Sequence, residues 1–358
     1  MQDRESLLKI VPPLLNWYDG GRRILPWRED PSPYHVWVSE IMLQQTRVEA
    51  VKPYYDRFIN ALPDISSLAL IHEDQLLKLW EGLGYYNRVR NMQKAAQIII
   101  EQHDGRMPAV YEQLLKLPGI GDYTAGAVAS IAYGEAVPAV DGNVLRVIAR
   151  LREDDRDITG QSLKKEIREL IKNVIPTDRP GDFNQALMEL GALICIPNGQ
   201  PKCESCPLHE SCLAHQNGTE TAYPVKARKR PRSIEYKTVL VIGHDSRTAL
   251  RKRANQGLLA GMYEFPSFDG LLTAQEVSEK LTAMNIPVIT IRSLPASKHI
   301  FTHKEWHMTG YAVRLDELAA DSRQYELGQD WIFAEIIKIQ EHFPIPAAYR
   351  VYLEYLRK

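Results

Sequence analysis

The chain has 358 residues, of which 44% are hydrophobic and 25% charged, with a formal net charge of −1 at pH 7. That length supports two domains with separate cores, and the composition is ordinary for a soluble globular protein. A near-neutral balance neither demands nor excludes a nucleic-acid partner, so any such footprint has to be local. Near the N-terminus LLKIVPPLLN is interrupted by Lys9 and Pro12-Pro13. Neither a signal core nor a membrane span is therefore expected in this stretch, and the chain is expected inside the cell, where thiols stay reduced.

Residues 1–20 carry helical spacing at Leu7, Leu8, Val11, Leu14 and Leu15, broken at the proline pair. Pro26, Pro31 and Pro33 keep the next stretch irregular. A helix is expected from about Ser39, its cap, to Phe58, with a kink at Pro53. Glu40 falls among Trp37, Val38, Ile41 and Met42. A carboxyl so placed has its pKa raised, although a first-turn Glu also complements a helix dipole. Gln44, Gln45 and Thr46 read locally as solvated helix positions. Short amphipathic helices continue to about Tyr133 without a period-two strand, which predicts an all-α domain.

The stretch LPGIGDYTAGAVASIAYGEAVPAVDGNVLR, Leu117 to Arg146, holds the densest signal. It reads as a helix ending at Leu117, a Pro118–Gly121 hairpin, and a helix from Asp122 to Tyr133. Gly119 and Gly121 are expected at φ > 0, where successive amides and a helix N-terminus make a concave anion site. Asp141 is placed to N-cap the run Val144–Leu151, whose amides would hold its carboxylate ionised. Residues 160–194 are helical again, with Gln185 and Glu189 on one face at i, i+4.

All four cysteines, Cys195, Cys203, Cys206 and Cys212, lie in one loop spaced C-x7-C-x2-C-x5-C. Such clustering in a reducing compartment signals metal. Tetrahedral zinc and an iron–sulfur cube both suit four thiolates. The run PVKARKRPR (224–232) reads as a basic linker, either a solvated tether or a strip lying along a nucleic-acid backbone. Beyond it, IEYKTVLVIGHDS, PVITIRSL and HKEWHMTGYAVRL alternate as strands and TAQEVSEKLTAMN reads as a helix. This gives an α+β domain from about 235 to 358.

LPGIGDYTAGA followed by VDGNV resembles the hairpin-plus-Asp signature of the helix-hairpin-helix DNA glycosylases of the endonuclease III superfamily. SEIMLQQTRVE, EGLGYYNRVRN and FNQALMELGALIC extend the similarity, nearest to the branch that excises adenine. The resemblance implies a multi-domain α and α+β protein. Residues 1–213 would form the glycosylase domain, with its hairpin at 111–133 and a 4Fe-4S loop at 195–212. A basic linker (214–234) and a Nudix-like recognition domain (235–358) would follow. The family's cysteine spacing is C-x6-C-x2-C-x5-C, so the first gap here has one extra residue. LLAGMYEFPSF resembles a Nudix fold, but DGLLTAQEVSEKL lacks the Glu-rich helix that holds magnesium for hydrolysis.

The same resemblance makes Glu40 the catalytic acid and Asp141 the carboxylate beside the sugar cation, with Tyr123 and Asn143 supporting them. Tyr123 stands where strand-cutting relatives carry a Schiff-base Lys, which implies base removal alone. Arg23, Trp27, Arg28 and Glu189 would line the adenine pocket. Leu43, Gln45, Thr46, Leu83 and Tyr85 would meet the opposite base, with Tyr85 as a wedge. Phe301, Thr302 and His303 stand where relatives carry a Phe-Ser-His loop sensing 8-oxoguanine. Gly119, Gly121 and Lys202 would touch DNA phosphates. The implied partner is double-stranded DNA with A·8-oxoguanine or A·G mispairs. The implied enzyme is a monomer, cytoplasmic and held to the nucleoid through DNA.

Overall fold

The computed structural model describes residue 5 and residues 7–227, 231–315 and 331–356. The chain divides into two compact units, Met1–Leu70 with Asn87–Arg228, and Ile71–Tyr86 with Lys229–Lys358. Residues 228–230 of the basic run lie outside the described residues.

The first unit is helical among its described residues, and its starts and stops correct several expectations. Pro12 and Pro13 fall in the first turn of the Val11–Gly21 helix rather than breaking one. Proline is tolerated there because first-turn amides have no intrahelical acceptor. The Glu40 helix runs Pro33–Leu43 and begins well before Ser39. Its cap is Ser32, whose Oγ accepts from the His35 N–H at 3.3 Å, while Ser39 donates to the Val36 carbonyl. The break comes at residues 44–47, and Pro53 sits inside the next helix, Val48–Ala61. The missing bond faces exposed Glu49, where water can satisfy the freed carbonyl.

The Glu40 helix stops because Arg88 takes its last carbonyls. The guanidinium donates to the oxygens of Ile41 (2.6 Å), Met42 (3.2 Å) and Gln44 (2.7 Å). A cation at a helix C-terminus also opposes the dipole there.

One turn of helix, Tyr111–Leu114, leads into the hairpin, and Asp122–Tyr133 leaves it. Gly119 has φ +77°, and a Cβ on it would lie 2.6 Å from that of Asn91. Gly121 departs from expectation: it is the extended N-cap of the second helix at φ −99°. Buried Asn184 then holds the following loop. It accepts from the Ala139 N–H (3.0 Å) and donates to Ser130 Oγ (2.8 Å) and the Val137 carbonyl (2.9 Å). The loop delivers Asp141 to the start of the Gly142–Arg152 helix. Val144, Val147, Ile148 and Leu151 of that helix enter one apolar cluster with the Gln161–Lys172 and Pro180–Leu193 helices.

The second unit is built on a mixed sheet. Its strands are β1 (Ser233–His244), β2 (Arg247–Lys252), β3 (Tyr263–Glu264), β4 (Ser267–Asp269), β5 (Val288–Ile300), β6 (Lys304–Leu315) and β7 (Trp331–Glu335). The order is β3-β2-β1-β6-β5, with β4 on β1 and β7 on β2. β1 and β6 are parallel, Ser233 pairing with Lys304 and Gly243 with Arg314. Period-two alternation feeds two cores. Val239, Val241, Trp306 and Met308 pack with Ile339, Tyr349 and Tyr352. Leu240, Ile242, Tyr311 and Val313 pack with Val277 and Leu281 of the Ala274–Ala283 helix. That helix opens with a Thr273–Glu276 capping box, so Glu276 is engaged in helix initiation.

Candidate active site

Glu40 is 6% exposed, on a helix whose Trp37, Val38, Ile41 and Met42 are buried as well. The Tyr123 hydroxyl donates to Glu40 Oε2 and lies 3.1 Å from the Met188 sulfur. Burial pushes the Glu40 carboxyl up to about 7, against the opposing pull of the Tyr123 hydrogen bond. The charge of Asp141 pushes the same way as burial, and Arg28 opposes it. Tyr123, buried beside two acids, is held well above the usual phenol range and remains a donor.

Asp141 N-caps its helix. Its Oδ1 accepts from the N–H groups of Asn143 (2.9 Å) and Val144 (2.8 Å), and its Oδ2 from Asn143 Nδ2 (2.6 Å). The two amides are the donors expected from the sequence to keep this carboxylate ionised. Burial raises its pKa, and the three hydrogen bonds with the Arg146 charge offset this only in part. A cap lowers a carboxyl's pKa at a surface; here tertiary packing removes the water as well.

Glu189 is a different kind of buried acid. It accepts from the Arg23 N–H (2.7 Å), and Arg28 reaches its Oε2 at 2.5 Å. Burial raises its pKa, but Arg28 and Arg23 together outweigh that and hold it low. Arg28 also donates to Gln185 at 3.0 Å, so the i, i+4 pair seen in sequence shares one guanidinium. Trp27 is buried edge-on against Tyr55.

Beside Asp141 opens a cavity of about 690 Å³, lined in part by Leu43, Gln45, Thr46 and Asn143. Gln45 is exposed and sits at φ +58°, backbone strain of the kind that collects at functional positions. Of the other proposed contacts, Lys202 is exposed on the cysteine loop. Leu83 and Tyr85 belong to the second unit. Tyr85 is 47% exposed at φ +49°, with its hydroxyl 2.7 Å from Thr302 Oγ1. Phe301, Thr302 and His303 form the turn between β5 and β6, Phe301 stacking edge-on to Trp306.

Sequence reading missed Arg146 and Arg150. Both are buried, and both leave the Asp141 helix for the cysteine loop. Arg146 donates to Asn143 Oδ1 (2.9 Å), to the Gly191 carbonyl (2.7 Å) and to the Cys195 carbonyl (2.8 Å). Arg150 donates to Cys195 Sγ at 3.2 Å. The signal that could have found them was two arginines four apart among Val144, Leu145, Val147, Ile148, Ala149 and Leu151. Gly191 permits the approach: a Cβ there would lie 2.6 Å from Asn143 Cβ and 3.1 Å from its backbone oxygen. Gly191→Ala is expected to cost about 1–3 kcal/mol by overpacking against Asn143, read as a lowered melting temperature.

The four thiols form one electrostatic group. Cys203 feels Cys206 and Cys212, while Cys206 and Cys212 both feel Cys195. The Leu208 amide donates to Cys206, and those of Ala214 and His215 to Cys212. With Arg150 on Cys195, these are donors suited to thiolate sulfurs, so the residues fit a thiolate-bound metal group. Cys203 also lies with His215 and Glu220, their ligand atoms within 4.8 Å of one another.

Residues 38–173 match the family model described as HhH-GPD superfamily base excision DNA repair protein, and residues 238–355 match that of the NUDIX domain. The adenine DNA glycosylase of Rattus norvegicus is 33% identical over 403 residues, covering 96% of this chain and 78% of that protein. That of Buchnera aphidicola (Schizaphis graminum) is 36% identical, covering 84% and 86%. Among solved structures, a thermostable thymine-DNA glycosylase aligns with TM-score 0.52 at 30% identity, covering 60% of this chain and 98% of that one. A non-covalent endonuclease III–DNA complex shares the fold at TM-score 0.51 and 23% identity, covering 60% and 97%. The chain belongs to the adenine DNA glycosylase family. It is a DNA glycosylase, a helix-hairpin-helix helical unit joined to a Nudix-type α+β unit. Among the described residues, no helix is long and apolar enough to cross a membrane.

Proposed function

We propose that the chain is a monofunctional glycosylase that hydrolyses the N-glycosidic bond of adenine opposite 8-oxoguanine or guanine in duplex DNA. The observation that carries this reading is Glu40, buried, raised to about 7, and electrostatically coupled to the capped Asp141. One acid and one carboxylate about a sugar carbon is the arrangement of glycoside hydrolysis.

In this reading the mispaired adenine leaves the stack, at a cost of a few kcal/mol that a mismatch reduces. Glu40 gives its proton to adenine N7. The C1′–N9 bond then breaks with its electron pair going to the purine, and positive charge develops on the sugar. Asp141 stabilises that charge, with Asn143 fixing its Oδ2. Water adds at C1′ and returns a proton to Glu40. Tyr123 holds Glu40 in position and, lacking an amine, forms no Schiff base with the sugar. Glu189, fixed by Arg23 and Arg28, faces the base edge. Leu43, Gln45, Thr46, Leu83 and Tyr85 meet the opposite strand, and the Phe301–Thr302–His303 turn reads the partner base. Functionally, residues 1–213 excise the base, 214–234 link and 235–358 recognise; the enzyme acts as a monomer inside the cell. Gly119, Gly121 and Lys202 contact backbone phosphates.

Cys195, Cys203, Cys206 and Cys212 would hold a 4Fe-4S cluster, which when bound braces the loop rather than reacting. The protein as purified is expected to be brown, absorbing near about 400 nm. A colourless protein carrying one zinc per chain would replace that assignment.

The test of function is single-turnover release from A·8-oxoguanine, A·G and T·G duplexes with borohydride present. Free adenine from the first two, without trapped protein–DNA adduct, is expected. The thymine arm is included because a thymine glycosylase shares the fold. Release of thymine alone, or a borohydride adduct formed at the rate of base loss, would overturn the reading.

A further inference from the structure

The cavity beside Asp141 carries cations that the excision chemistry does not use. Arg47, Lys164 and Lys226 all line it. They arrive from three separate places: the turn before Val48–Ala61, the first turn of Gln161–Lys172, and the start of the basic run. None of the three makes an ion pair among the described residues. Asp157 is already engaged by the Thr159 N–H (2.9 Å), the Thr159 hydroxyl (2.7 Å) and the Ala227 amide. The Thr159 bonds hold its carboxyl low, and the Lys164 charge adds only to what they do.

Lys226 is not on a loose tether. The Ile158 N–H donates to the Val225 carbonyl at 3.1 Å, and the Ala227 amide donates to Asp157. These two bonds flank Lys226 and fix its backbone to the 157–159 loop. Three like charges gathered about one opening repel one another, an arrangement that an anion relieves.

We propose that Arg47, Lys164 and Lys226 form a phosphate clamp on the adenine-bearing strand, gripping the backbone on either side of the everted nucleotide. This rests on the glycosylase reading, because it takes the cavity as the nucleotide's way in. Eversion swings a nucleotide about its own backbone. Fixed grips on the flanking phosphates supply the points about which it turns, and each neutralised phosphate releases counterions.

The probe is a duplex with 2′-fluoroadenosine opposite 8-oxoguanine, whose electron-poor sugar resists cleavage. Affinity of the full chain is measured against salt. Each of Arg47→Ala, Lys164→Ala and Lys226→Ala should flatten the log–log slope by about 0.9, and the triple variant by nearly three times that. Lys165→Ala, the same charge change one residue from the cavity lining, should change it far less. Neutral methylphosphonates flanking the adenine should weaken the wild type and leave the triple variant nearly unaffected. Equal slopes for Lys226→Ala and Lys165→Ala, or equal methylphosphonate penalties in wild type and triple variant, would remove the clamp. If the triple variant folds poorly, the Lys226→Ala arm alone decides. Loss of the clamp with adenine still released leaves the glycosylase reading intact, whereas a clamp without adenine release refutes that reading alone.

Discussion

Glu40→Gln is expected to slow single-turnover adenine release by about 10²- to 10⁴-fold, the span general acid catalysis usually supplies. Duplex affinity should hardly change, because glutamine keeps the size of the side chain and an oxygen for the Tyr123 hydroxyl. The wild-type rate at subsaturating DNA should fall as pH rises through about 7, where the buried acid loses its proton. The glutamine variant should show no such limb. Retention of that limb in the variant would assign it to another group.

The same substitution has a stability signature of opposite sign. A carboxyl whose ordinary value is 4.5 and whose folded value is about 7 favours the folded state while protonated. That contribution is complete below about 4.5 and lost as pH rises to about 7. Each tenfold difference in proton affinity between folded and unfolded chain is worth about 1.4 kcal/mol. The glutamine variant has no proton to lose. It should therefore melt above the wild type at pH 8, and the difference should shrink at pH 5. An enzyme stabilised by removing its own acid is one that holds strain at its site.

What could be read in sequence was local. Glu40 lies among Trp37, Val38, Ile41 and Met42 of its own helix, so its environment is written within a few residues. The Asp141 cap closes over two and three residues, and the cysteine loop over a short span. What escaped was made by distant chain. Arg88 ends the Glu40 helix from more than forty residues away, which is why the break appeared to belong to Pro53. Gly119 and Gly121 look alike as letters, yet only the first faces Asn91 across a left-handed turn. Arg146 reads as a surface arginine until the Gly191 and Cys195 carbonyls are brought to it. The burial of Asp141 escaped for the same reason: its amide donors are local, whereas exclusion of water is tertiary.

Asp141→Asn separates the observed cap from the catalytic role proposed for that residue. Asparagine is as good an N-cap as aspartate, so bonds from the Asn143 and Val144 amides survive. The bond from Asn143 Nδ2 is lost, since two amide NH₂ groups then meet where donor met acceptor. That loss, about 1–3 kcal/mol for a buried polar group, is opposed by removing a carboxylate whose ionised form burial disfavours. The melting temperature should therefore move by only a few degrees. Asp141→Ala, which gives up the cap as well, should lower it further, by the ~1 kcal/mol such caps contribute. Catalysis should not follow that ranking. Both variants lose the negative charge beside the developing sugar cation, and both should release adenine about 10²- to 10³-fold more slowly, the scale of one lost transition-state contact of this kind. If the asparagine variant cleaves like the wild type while the alanine variant does not, Asp141 acts as a cap alone, and the sugar cation is stabilised by some other group.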